Sequence, residues 1–228
     1  MNNPITNFTK REWILWISSL TAIILTNIFS ESFDLLTFFA SCIGVTSLVF
    51  AAIGNVWSQV LMVIFSILYG MISFQFHYWG EMITYLGMTM PMAIWSTFTW
   101  LKNPAKNGKE VKIRRLQKKD LLLLIVSCIA VTFLFFIILD KLDTPNIFFS
   151  TLSISTSFLA AALTMLRSSY YALGYAANDI VLIVMWTLAA IQNPIYISVI
   201  VIFVIFFFND MYGFISWKKR ECKEAAHF

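Results

Sequence analysis

The chain has 228 residues, of which 59% are hydrophobic and 12% charged, with a formal net charge of +4. A water-soluble domain of this size needs a far more polar coat, so a soluble enzyme or binding module is excluded. The basic excess does not mark a nucleic-acid partner, because the Lys and Arg residues sit in the connections between apolar stretches.

Eight such stretches, at residues 13–30, 34–53, 57–76, 81–101, 120–140, 146–166, 170–191 and 195–217, fill the chain. Each is long enough to cross the roughly 30 Å hydrocarbon core as a helix, which predicts an all-α membrane protein with eight transmembrane helices. Lys10 and Arg11 precede the first stretch without a small-residue cleavage site, so no cleavable signal is expected. The connection 102–119 is the one real linker, with turn signals at Asn103-Pro104 and Asn107-Gly108. It carries eight basic residues: Lys102, Lys106, Lys109, Lys112, Arg114, Arg115, Lys118 and Lys119. With the N-terminus in the cytoplasm, these join Lys10, Arg11, Arg167 and the tail 218–228, leaving only Lys141 of the 16 Lys and Arg residues outside. The opposite face receives Glu31, Asp34, Glu81, Asp140 and Asp143. That asymmetry obeys the positive-inside rule and predicts a multi-pass plasma-membrane protein with both termini cytoplasmic. The basic run either fixes orientation or grips anionic lipid headgroups, worth about 1 kcal/mol per residue.

The two halves flanking this linker have similar layouts. A shift of 117 positions lays Gln75 on Gln192, Trp100 on Trp217, Tyr69 on Trp186 and Trp95 on Tyr212. The layout predicts a parallel 3+1+3 repeat: an extra helix at 13–30, a three-helix bundle at 34–101, a linker helix at 120–140, and a second bundle at 146–217. Parallel repeats of this kind are a transporter architecture, with the substrate held between the halves.

Polar side chains inside spans are expensive and mark either helix contacts or a substrate path. On the seventh span, Tyr171, Tyr175, Asn178, Trp186 and Asn193 fall within an arc of about 80° at helical spacing. Asp179 lies beside that stripe, and Gly174, Ala176 and Ala177 offer small helix contacts. The eighth span carries Asn209-Asp210 below an apolar run, and the first half offers Tyr69, Gln75, Glu81, Thr84, Tyr85 and Thr89. Pro91 is placed to bend the fourth helix. No nucleophile–base pair, HExxH motif or phosphate-cradling glycine loop is present, which argues against an enzyme. Cys42, Cys128 and Cys222 lack metal or redox spacing, so no cofactor is implied.

Three segments carry a family likeness: 69–83 (Tyr69-Gly-Met-Ile-Ser-Phe-Gln75-Phe-His-Tyr-Trp-Gly80-Glu81-Met-Ile), 175–186 (Tyr175-Ala-Ala-Asn178-Asp179 through Trp186) and 208–213 (Phe208-Asn209-Asp210-Met-Tyr212-Gly213). With the basic mid-loop, the chain from about residue 35 resembles the bacterial PnuC family of nicotinamide riboside transporters. The resemblance implies the SWEET-like 3+1+3 fold and facilitated uptake of nicotinamide riboside by alternating access, trapped by a cytosolic riboside kinase. It also implies a substrate site. A flat cationic ring suits a sandwich between Trp186 and Tyr69. Gln75, Asn178, Gln192 and the neighbouring Asn193, Asn209 and Tyr175 would take the carboxamide or ribose hydroxyls. Asp179 would either balance the ring charge or anchor helices. Trimers occur among the family's relatives, so a homo-oligomer is a further expectation. The open alternatives are a carrier of another vitamin (thiamine, riboflavin) or a small sugar, and a non-transporting membrane scaffold or sensor.

Overall fold

The computed structural model describes residues 4–28, 34–75, 78–106, 108–144 and 146–225. The expected span ends at 29–30 and 76, together with Glu31 and Asn107, lie outside the described residues. The described chain is all helical, with one isolated backbone bridge between Pro104 and Val111. Eight long helices follow the eight apolar stretches. They are α1 (Lys10–Ile28), α2 (Leu35–Ala52), α3 (Trp57–Gln75), α4 (Trp79–Thr84 and Met90–Leu101 joined by Tyr85–Thr89), α5 (Lys118–Lys141), α6 (Ile147–Met165), α7 (Tyr171–Gln192) and α8 (Ile197–Ala225). Of these, α2, α3, α5, α6, α7 and α8 are each apolar and long enough to cross a bilayer.

Short polar signals set the helix starts. Thr9 and Glu12 cap α1 reciprocally, side chain to backbone in each direction. The Asp34 carboxylate accepts the amides of Leu36 and Thr37 at the start of α2. Gln117 and Asp120 form the same reciprocal box at α5. In α4 the expected bend at Pro91 takes the form of a π-helical turn over Tyr85–Thr89, with the Met90 amide reaching the Tyr85 carbonyl. A proline ring clashes with the carbonyl one turn back in regular helix, and widening the preceding turn relieves that contact. The widened turn buries Tyr85, Met88 and Thr89.

Beyond the expected end of the eighth span at residue 217, α8 continues to Ala225. There Lys218 binds Glu221 at 2.8 Å, and the Ser169 hydroxyl donates to the same carboxylate at 2.8 Å, pinning the extra turns to the α6–α7 connection. Glu81 does not lie on the outer face. It is 1% exposed and accepts a hydrogen bond from Ser153 of α6 at 3.0 Å. Its one-turn depth in α4 puts it on the face that α6 covers.

The helices pack α2 on α3, α3 on α4, α6 on α7, and α7 on α8; α2 also packs on α8, and α1 on α2. α5 lies along α6 and buries only Leu124 and Leu139, leaving its apolar face outward as lipid contact requires. At one end of the bundle the Trp100 indole donates to the Thr164 carbonyl, and the Trp217 indole donates to the Ala51 carbonyl. Each tryptophan sits in the last helix of one half and bonds the first helix of the other. Their rings meet at 5.5 Å, and they are 117 positions apart. Near the other end, Trp186 donates to the Tyr69 hydroxyl at 3.1 Å, again across 117 positions.

The segment between α4 and α5 folds back under this Trp100–Trp217 pair as a strap. Val111 and Ile113 are buried against Ala51, Trp100, Tyr171 and Trp217. The Val111 amide donates to the Gly54 carbonyl in the α2–α3 turn, where φ is +72°. The Val111 carbonyl accepts from Arg220 of α8 at 2.9 Å, and Arg220 pairs with Glu110 at 3.0 Å. The Arg114 amide donates to the Arg167 carbonyl in the α6–α7 turn. The strap therefore ties both halves together at one residue. Val111→Asp would place an unpaired carboxylate in that aromatic cluster and is expected to lower the melting temperature in detergent by several degrees, read by differential scanning fluorimetry. An unchanged melt would mean that the strap contributes nothing to closure of this end.

Candidate functional site

Every helix except α1 and α5 contributes to one internal cavity. Gly44 and Leu48 come from α2, Met62 and Phe65 from α3, and Tyr85 and Thr89 from α4; α6 gives Ser157, α7 gives Tyr175, Asn178 and Asp179, and α8 gives Phe203, Phe206 and Asp210. Its volume open to the centre of a water molecule is about 20 Å³, room for one or two waters. A methyl group on Gly44 would come within 2.5 Å of the Phe206 ring, so the ring would have to move. A second void of about 10 Å³ lies on the other side of Phe65 and Phe203, against Thr37, Ser41 and Tyr69.

The seventh-span stripe splits by depth. Asn178 is 2% exposed, and its side-chain oxygen accepts the hydroxyls of Thr156 at 2.8 Å and Ser157 at 2.9 Å. Ser153, 3.4 Å from the same oxygen, links it to Glu81. These hydroxyls occupy the acceptor, so the group Asn178 has left to offer a ligand is its amide N–H₂. About two helical turns further along, Trp186 is fully buried in an aromatic layer. Tyr78 lies 4.6 Å from it and Tyr196 5.4 Å, centroid to centroid. Tyr69 packs at 4.4 Å on Tyr85, which joins this layer to the cavity.

The carboxyl groups are the costly part of the site. Glu81, Asp179 and Asp210 are at most 4% exposed, and one oxygen each of Glu81 and Asp179 lacks a hydrogen-bond partner, as does the Thr89 hydroxyl. The sequence contains no Lys or Arg from residue 12 to 101 or from 168 to 217, so no basic side chain from those segments offsets them.

The expected site residues divide accordingly. Tyr175, Asn178 and Asp179 line the cavity, and Tyr69 and Trp186 form the adjoining layer. Gln75, Gln192 and Asn193 are exposed at helix ends and do not reach it. Asn209 faces away: its amide donates to Ser19 of α1 at 3.0 Å, so it fixes the extra helix. A turn of 100° per residue sends its neighbour Asp210 to the cavity instead. Asp210, Tyr85, Thr89 and Ser157 thus belong to the site without having been singled out as ligands. For Asp210 the signal was present, since it follows Asn209 at the same depth as Asp179.

Residues 34–219 match the family described as nicotinamide mononucleotide transporter. The chain belongs to that family. It is therefore a multi-pass membrane transporter of the PnuC type rather than an enzyme, as the lack of any catalytic constellation suggested. Among curated proteins, it is 24% identical over 213 residues to the nicotinamide riboside transporter PnuC of Neisseria mucosa, covering 91% of this chain and 80% of that one. Its fold superposes with a TM-score of 0.81 on the crystal structure of the vitamin B3 transporter PnuC, at 22% identity, covering 93% and 92% of the two chains.

Proposed function

We propose that this family member carries nicotinamide riboside across the bacterial plasma membrane by alternating access. The supporting observation is the cavity that α2, α3, α4, α6, α7 and α8 line together, with an amide, carboxyls and an aromatic layer on its wall. The contacts between residues 117 apart support the parallel 3+1+3 reading, because equivalent positions meet where two repeats share an axis. In this reading the helices of 34–101 and 146–217 are the moving units and α5 is the inverting connector. Both termini and the strap lie in the cytoplasm, where a riboside kinase traps the substrate; a trimer remains part of the proposal.

The roles follow from the geometry. The ring of the substrate stacks in the layer of Tyr69, Tyr78 and Trp186, worth about 1–2 kcal/mol in a dry pocket. Asn178 donates to the carboxamide oxygen or a ribose hydroxyl, held in place by Thr156 and Ser157. The cavity of about 20 Å³ is far smaller than a nucleoside, so loading requires Phe65, Phe203 and Tyr85 to separate. Rocking of the two units provides that separation. Excluding the phosphorylated nucleotide follows from the cost of burying a dianion where no basic side chain waits.

Uptake of radiolabelled nicotinamide riboside into proteoliposomes tests the proposal. Saturable uptake is expected for the wild type and a loss of at least about tenfold for Asn178→Ala, the effect of one hydrogen bond to a polar ligand left unmade. No uptake by the wild type, or full inhibition by thiamine alone, would redirect the reading to another vitamin.

A further inference from the structure

We propose that Asp179 and Asp210 act as one carboxyl pair that selects substrates bearing a single positive charge. This rests on the carrier reading above and names the charge class that its site accepts.

Asp179 on α7 and Asp210 on α8 project into the same cavity from two helices in direct contact. They are 4% and 3% exposed, two buried carboxyls on one cavity wall. Two carboxyls buried on one cavity wall repel each other when both are ionised, so the pair holds at most one negative charge. The groups facing it are the phenols of Tyr85 and Tyr175 and the hydroxyl of Thr89; Glu81 stands further off behind Ser153. None of these is a cation, and α7 and α8 contain no Lys, Arg or His from residue 171 to 217.

Two observations point from this pair to a ligand rather than to a helix pin. Asp179 Oδ2 is buried without a hydrogen-bond partner, and so is the Thr89 hydroxyl on the facing π-helical turn of α4. Both belong to the wall of the cavity that the six core helices line. A pin between α7 and α8 would have used both oxygens and would not need Thr89 unpaired across the gap. A singly charged organic cation entering here favours ionisation of the pair and gains its negative charge as a partner, which a neutral or anionic molecule of the same shape does not.

The test uses two ribosides of nearly one shape: nicotinamide riboside, with a cationic ring, and its 1,4-dihydro form, with a neutral ring. Dissociation constants are measured by quenching of tryptophan fluorescence on the full chain in detergent. Wild type is expected to bind the cation at least about tenfold tighter than the neutral form. The double variant Asp179→Asn/Asp210→Asn keeps the size of both side chains, leaves no carboxyl in the pair and should bring that ratio towards one, with folding checked by thermal melting. If the double variant does not fold, the wild-type ratio decides, because a pair without charge selection would not separate two ribosides of one shape. Equal binding of both ribosides by the wild type, or an unchanged ratio in a folded variant, overturns the charge selection and leaves the carrier reading standing. Failure of the wild type to bind either riboside overturns both.

Discussion

Trp186→Ala is expected to abolish saturable riboside uptake, and Trp186→Phe to retain part of it. The indole is fully buried, donates to Tyr69 and packs against Tyr78 and Tyr196. Truncating a buried aromatic to alanine costs about 3–5 kcal/mol in packing, which in a bundle of this size threatens folding as well as transport. Phenylalanine separates the two effects. It keeps a ring for stacking and loses only the N–H that reaches Tyr69 across the two halves, a loss of about 1 kcal/mol. Melting temperature and uptake, measured on the same preparations, give the comparison. A Phe variant that folds normally but transports nothing would assign the indole N–H itself to the transport cycle. An alanine variant with normal uptake would remove the aromatic layer from the site.

Gly174→Leu is expected to prevent assembly of the native bundle, and Gly174→Ala to weaken it by about 1–3 kcal/mol. A methyl group at this position would stand 2.9 Å from the Ala160 Cα and 3.2 Å from its Cβ. The obstacle is backbone, so no rotamer change relieves it. Here α7 and α6 approach at small residues, the arrangement by which membrane helices gain packing where no hydrophobic drive exists between them. Just beyond this crossing, Asn178 takes the hydroxyls of Thr156 and Ser157, so pushing the helices apart would also break the polar cluster. Size-exclusion profiles and melting curves in detergent would show it. A leucine variant that elutes and melts like the wild type would mean that α6 and α7 can part without harm.

The sequence made the helices legible because lipid imposes a length and a polarity on every span. The places where it misled have local causes. Gln75, Gln192 and Asn193 carry the right chemistry for a polar ligand, but a helix end exposes such groups and no periodicity rule brings them inward. At Asn209-Asp210 the amide looked the better ligand; which of two adjacent residues faces the cavity depends on where α1 packs, and Ser19 captures the amide. Glu81 sits so near the expected border of its span that a loop position was the natural reading, yet Ser153 reaches across from α6 to hold it inside. The π-helical turn left one trace, Pro91. Proline announces that a regular turn cannot persist, but not that the remedy will be a wider turn presenting Tyr85 and Thr89 to the cavity.

The narrowness of the two voids has a consequence for the cell that houses the protein. Spaces of about 20 and 10 Å³, divided by the rings of Phe65 and Phe203, hold too few water molecules to form an unbroken file from one aqueous side to the other. Among the described residues, these two spaces give protons and small ions no continuous thread, so neither is a leak for the electrochemical gradient that the same membrane maintains.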